Sequence, residues 1–88
     1  MAREIKLPLT DQQEKALYFI IEYIEEYDYP PTINEIKEAL NHNNPGYVHK
    51  ILTALEKKGY ITRRKRIRRG LRLTEISENM SPHSQWIT

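Results

Sequence analysis

Six of the seven residues at positions 63–69 are basic, namely Arg63, Arg64, Lys65, Arg66, Arg68 and Arg69, with Ile67 between them. Charge of that density repels itself in a free protein and is relieved on a polyanion, so the chemistry on offer is contact with phosphate. A second set lies upstream: Asn44, Gly46, Tyr47, His49, Lys50, Thr53 and Lys57. At 100° per residue, with Val48 at the centre of a buried side, Gly46, His49, Lys50, Thr53 and Lys57 fall opposite it and Tyr47 lies at the border. This face offers donors, acceptors and positive charge but no carboxylate, and Glu56 points nearer its flank. Imidazole, hydroxyl and ammonium groups in one helical stripe, with the Asn44 carboxamide at its head, can hydrogen-bond base edges.

Elements with the right start and stop signals flank both sets. Thr10 is placed to cap a first helix, about residues 11–27, with Asp11 and Glu14 at the positive end of its dipole. Leu17, Ile20, Ile21 and Ile24 make its apolar stripe, Phe19, Tyr23 and Tyr27 widen it, and Pro30 and Pro31 prevent its continuation. Thr32-Ile33-Asn34-Glu35 reads as a capping box ahead of a short second helix, about 33–40. A polar turn, Asn41-His42-Asn43-Asn44, leads to a third helix, about 45–58. Asn44 is its N-cap, Pro45 its first residue, and Val48, Ile51, Leu52 and Leu55 its buried stripe. Lys57 and Lys58 sit at its negative end and Gly59 supplies a left-handed cap. Tyr60-Ile61-Thr62 and Leu71-Arg72-Leu73-Thr74 read as two short strands, with the basic tract near the tip of their hairpin and Gly70 as its turn residue. The expected fold is mainly α with a small β-hairpin, a three-helix winged helix-turn-helix. Residues 1–8 form a lead, 9–74 the domain, and 75–88 a flexible tail.

Composition narrows the function classes. The chain has 88 residues and a net charge of +2, but that total hides a split. Residues 1–44 carry four basic and nine acidic side chains, a net of −5, and residues 45–88 carry ten and three, a net of +7. Such asymmetry signals a polyanionic partner. There are no cysteines, which excludes disulfides, thiolate metal sites and thiol catalysis. No apolar run approaches the roughly 18 residues of a membrane span, and the first residues lack the apolar stretch of a signal peptide, so a cytoplasmic protein is expected. His42, His49 and His83 are irregularly spaced and lack a carboxylate or thiolate set, so no metal or other cofactor is expected. The Glu22, Glu25, Glu26 cluster reads as a solvated helix face rather than an acid–base pair, and no enzyme activity is expected. Tyr18 and Tyr29 could extend an exposed apolar patch, and Trp86-Ile87 stands out in the tail as a docking or dimer-clasp candidate.

The residues taken together resemble the N-terminal DNA-binding domain of LexA-type SOS repressors. The likeness runs through Leu9-Thr10, Gln12-Gln13-Glu14, Pro30-Pro31-Thr32, Glu35-Ile36, Pro45, Val48-His49, Leu52 and Ala54-Leu55. It continues in Lys58-Gly59-Tyr60-Ile61 and Arg69-Gly70-Leu71-Arg72-Leu73. It extends without gaps over residues 9–74, 66 of the 88. The resemblance implies a winged domain that represses transcription by occupying an operator. Asn44, Gly46, Tyr47, His49 and Lys50 would face bases, and Lys58 and the wing would hold phosphates. Members commonly have Ser where Asn44 stands, small or acidic residues at Tyr47 and Lys50, and a far less basic wing, so the operator need not be the family's. LexA-type repressors continue into a domain that dimerises and cleaves itself with a Ser-Lys pair. Here Ser77, Ser81 and Ser84 have no activating lysine, since none follows Lys65, and self-cleavage is not expected.

The functional expectation is a sequence-specific double-stranded DNA-binding regulator, a repressor. Asn44, Gly46, Tyr47, His49, Lys50 and Thr53 read bases. Lys57, Lys58 and the six basic wing residues hold phosphates or reach a minor groove. A weak homodimer on DNA and a protein partner at the first helix or the Trp86 tail accompany it. The alternative is a winged-helix interaction or architectural module that acts with a partner protein and binds DNA nonspecifically.

Overall fold

The computed structural model describes residues 9–64 and 66–78. The elements in chain order are α1 (Asp11–Tyr27), α2 (Ile33–Ala39), α3 (Pro45–Lys57), β1 (Ile61–Arg63), β2 (Leu71–Leu73) and α4 (Glu75–Glu78). This is a winged helix-turn-helix: three helices around one core, followed by an antiparallel hairpin.

The helices α1, α2 and α3 each begin where a side chain can satisfy their first amides. Thr10 and Gln13 form a capping box on α1, and Thr32 and Glu35 form one on α2. On α3, Asn44 Oδ1 accepts from the Gly46 amide at 2.8 Å, and Pro45 occupies a position where no amide hydrogen is needed. The helices end by equally local devices. Asp28 takes up a left-handed conformation (φ 64) and donates to the Ile24 carbonyl, so α1 stops before the two prolines are reached. Asn41 (φ 57) closes α2, with the His42 amide reaching the Lys37 carbonyl. Gly59 (φ 87) closes α3, with the Tyr60 amide on the Leu55 carbonyl, the paired pattern that satisfies last-turn carbonyls.

The core joins one stripe from each helix to the base of the hairpin. Ala16, Leu17, Ile20 and Ile21 of α1 meet Ile36 and Leu40, then Val48, Ile51, Leu52 and Leu55 of α3, and finally Tyr60, Ile61 and Leu71. The aliphatic members are spaced by three and four residues, which is what turns the exposed stripe of α3 away from this core.

The hairpin pairs Ile61 with Leu73, Thr62 with Arg72 and Arg63 with Leu71. Period-2 alternation buries Ile61 and Leu71 and leaves Thr62 and Arg72 exposed opposite each other. The connecting loop departs from the expected one. Arg66 (φ 64) and Arg69 (φ 57) supply the left-handed turns, not Gly70. Gly70 is required for a different reason: a Cβ there would lie 2.8 Å from the carbonyl oxygens of both Arg64 and Ile67.

The tail expected from residue 75 is also corrected in part. Residues 75–78 form α4 and pack on β2. Ser77 is fully buried and its hydroxyl donates to the Tyr60 carbonyl, which also receives the amide and hydroxyl of Thr74. A buried hydroxyl with a partner is a fixed part of a domain. Trp86 and Ile87 lie outside the described residues.

Gly70→Ala is expected to lower stability by about 1–3 kcal/mol, because the new methyl meets two backbone oxygens that cannot both move aside. Urea denaturation with an unchanged midpoint would contradict that close approach.

Candidate nucleic-acid interface

The α2–turn–α3 unit leaves one face of α3 exposed. Gly46, His49, Lys50, Thr53 and Lys57 are all solvent-exposed, while Val48, Ile51, Leu52 and Leu55 are buried. Tyr47 is half-buried and packs on the core edge. Its ring stacks on His42 at 4.1 Å between centroids, inclined by 17°. His42 Nδ1 in turn accepts from the Asn44 amide at 3.2 Å. Tyr47 and Asn44 therefore both take part in ordering the start of α3, and Asn44 Oδ1 is committed to its capping bond.

Beside α3 the hairpin builds a groove of about 630 Å³. Thr32 and Asn34 from the start of α2, His49 and Glu56 from α3, and Arg64 and Arg68 from the wing are among the residues around it. Arg64, Arg66 and Arg68 are exposed, and so is Ile67. Lys65 lies outside the described residues. Among the described residues no cluster of His, Asp and Glu could hold a metal ion, and no helix is long and apolar enough to cross a membrane.

Three of the expected phosphate-holding cations are engaged within the protein. Arg63 lies on the inner side of β1, where its guanidinium donates to Thr53 Oγ1 at 2.9 Å and pairs with Glu56 at 3.3 Å. Thr53 is thus tied to the wing. Lys58 donates to Gln13 Oε1 on α1 at 2.7 Å.

The third, Arg69, departs furthest from a free wing residue. Its two terminal nitrogens donate to the two carboxylate oxygens of Glu35, each at 3.1 Å. Nη1 also reaches the Pro30 carbonyl at 2.7 Å and the Tyr23 hydroxyl at 3.4 Å. The guanidinium carbon stands 4.6 Å from the centroid of the Tyr29 ring. The physical reason is geometric: a planar fork matches a carboxylate and stacks on an aromatic face. Arg69 is directed at α1 and α2, and among the described residues the exposed positive charge of the loop falls to Arg64, Arg66 and Arg68.

Tyr23, Tyr29 and Glu35 are partners of the wing beyond the expected site residues, and Arg72 is a further exposed cation on it. Arg72 was legible from the alternation of Leu71-Arg72-Leu73; it is exposed and donates to the carbonyls of Arg69 and Leu71. Nothing local marks the others, which lie 34–46 residues from Arg69.

A winged helix-turn-helix with an exposed α3 face and an arginine-bearing wing defines a class of DNA-binding domains. The LexA DNA binding domain family matches residues 6–70, and this chain belongs to that family. It is 49% identical over 65 residues to the LexA repressor of Pseudothermotoga lettingae, an alignment covering 73% of this chain and 32% of that protein. It is 51% identical over 55 residues to the LexA repressor of Anaeromyxobacter dehalogenans strain 2CP-1, covering 62% of this chain and 24% of that protein. The alignments thus span a quarter to a third of the length of these relatives.

The Glu35 carboxyl is held down at about 2, chiefly by the Arg69 guanidinium and next by the Thr32 amide. Since its ordinary value is 4.5, the stability it contributes is complete above that pH and is lost as pH falls from about 4.5 toward 2. Urea unfolding followed across this window is expected to show the native protein losing stability faster than Glu35→Gln, which has no carboxylate to titrate there. Parallel losses in the two proteins would remove the pairing as a source of acid sensitivity.

Proposed function

We propose that the chain is the operator-reading part of a transcriptional repressor, binding double-stranded DNA sequence-specifically. The observation that carries this reading is the exposed α3 face beside an arginine-bearing wing, in a chain whose relatives are named LexA repressors. α3 enters the major groove, where His49 and Lys50 meet base edges and Lys50 suits guanine O6 and N7. Gly46 lets the start of α3 approach the duplex closely, and the amide group of Asn44 stands at that same end. Tyr47 and Thr53 border the reading face. Lys57, Arg64, Arg66, Arg68 and Arg72 follow the phosphates, with one wing arginine reaching the minor groove.

One such domain covers a single half-site. Tight operator binding then comes from two copies on a symmetric site, associating weakly in the absence of DNA. A second reading, an accessory module that acts through a protein partner, is favoured by the exposure of Tyr27 (50%) and Tyr29 (45%) at the end of α1.

Selection from a pool of random duplexes, followed by anisotropy titrations, tests these readings. Enrichment of a defined sequence is expected, and with roughly six phosphates neutralised log K should fall with log salt at a slope of about −5. A slope near zero would sink the DNA reading, and salt-sensitive binding without enrichment would favour the accessory module. Substituting His49 and Lys50 is expected to change which sequence is preferred. Neutralising Arg64 and Arg66 is expected to weaken all sequences alike. Identical behaviour of the two pairs of variants would refute the division between helix and wing.

A further inference from the structure

The wing has a mechanical difficulty. Its strands are three residues each, and an isolated two-stranded hairpin of that length is not stable in water. Its root is fixed by the bonds of Thr74 and Ser77 to the Tyr60 carbonyl. Arg64, Arg66 and Arg68, however, hang from the far loop. Among the described residues, the Arg69 side chain ties that loop to the α1–α2 scaffold. A carboxylate, a main-chain carbonyl, a phenol and an aromatic face surround this guanidinium, all contributed by residues 23–35. The same residue is in a left-handed backbone conformation, uncommon for a side chain of its size. Its carbonyl is held by the Arg72 guanidinium at 3.1 Å.

We infer that Arg69 and Glu35 are positioning residues for DNA recognition: their pairing latches the wing loop to the α1–α2 scaffold and so fixes the exposed arginines relative to α3. The inference rests on the DNA-binding reading above and assigns a task to residues that touch no base or phosphate. Latching removes loop freedom before DNA arrives, so less ordering is left for the binding step. The latch acts on the register between wing and α3, and therefore on discrimination between sequences more than on bulk attraction to DNA.

Glu35→Gln tests this with a sign. Glutamine serves a capping box as glutamate does, so the start of α2 is preserved while the charge pairing with Arg69 is lost. If Arg69 were a phosphate contact restrained by Glu35, this variant would free a cation. Affinity for every duplex would then rise, and the salt slope would steepen by about 0.9. A latch predicts the opposite for the duplex enriched by selection: affinity falls roughly 3- to 30-fold despite the added net positive charge. Binding to a mixed-sequence duplex is expected to hold or rise, so the specificity ratio drops. Arg69→Lys, which keeps the charge but not the fork, is expected to behave in the same way, and the double variant should lose no more than the worse single one.

Nitrogen-15 relaxation of the Arg64, Ile67 and Gly70 amides in the DNA-free 88-residue chain supplies the second readout. Both variants should increase the mobility of these amides, with the helical amides unchanged. Failure of the native chain to bind any duplex would overturn the functional reading, and relaxation would still judge the latch. Unchanged loop relaxation, or tighter binding of Glu35→Gln to both duplexes, would overturn the latch. If Arg69→Lys fails to fold, Glu35→Gln decides alone.

Discussion

The carboxylate of Glu35 holds together two parts of the molecule that are 34 residues apart in sequence. One of its oxygens accepts the Thr32 amide at 2.8 Å and so begins α2, and both oxygens accept from Arg69 and so fix the wing loop. The helix that leads into the helix-turn-helix and the hairpin that follows it are thereby referenced to one side chain. The pair is half-exposed, with about a third of each side chain accessible, so its strength lies in geometry more than in a dry environment. A two-point fork, a third bond to Pro30 and a stacked ring leave the guanidinium little freedom to rotate.

This arrangement divides the positive charge by use. A run of six cations in seven positions looks uniform as text, but the fold gives its members different tasks. Arg63 faces inward to Glu56 and Thr53, and Arg69 faces the scaffold. Arg64, Arg66 and Arg68 remain outward. Acidic residues of the first half and of α3 neutralise the two inward arginines. The lopsided charge of the two halves is therefore partly an internal matter: some of the acidic excess exists to hold some of the basic excess in place. The net charge of +2 understates what a polyanion would meet at the wing.

The helices were legible because their determinants are local. Thr10, Thr32 and Asn44 satisfy amides within three residues, and apolar residues repeat at helical spacing, so the bounds of α1 agree with the expected 11–27. The exposed face of α3 follows from the same arithmetic once Val48 is placed inside. Gly59 is legible as a left-handed cap because a helix end demands one. The same local logic makes Gly70 a turn residue. The structure instead needs it for a close approach between two backbone segments, which no property of its neighbours announces. Ser77 sits in a polar stretch of the sequence; its burial depends on where the Tyr60 carbonyl falls after the hairpin has formed.

By itself the sequence determined three capped helices, a hairpin with its inward and outward alternation, the exposed stripe of α3 and the concentration of cations near the hairpin tip. All of these depend on periodicity or on contacts within a few residues. Tertiary structure alone decided which cations remain outward, why Gly70 carries no side chain, and that Tyr23, Tyr29 and Glu35 belong to the wing. These are meetings across tens of residues, set by how the helices pack around Leu17, Ile20, Leu52 and Leu55. A charge has no period, so its partner becomes visible only when the chain has closed on itself.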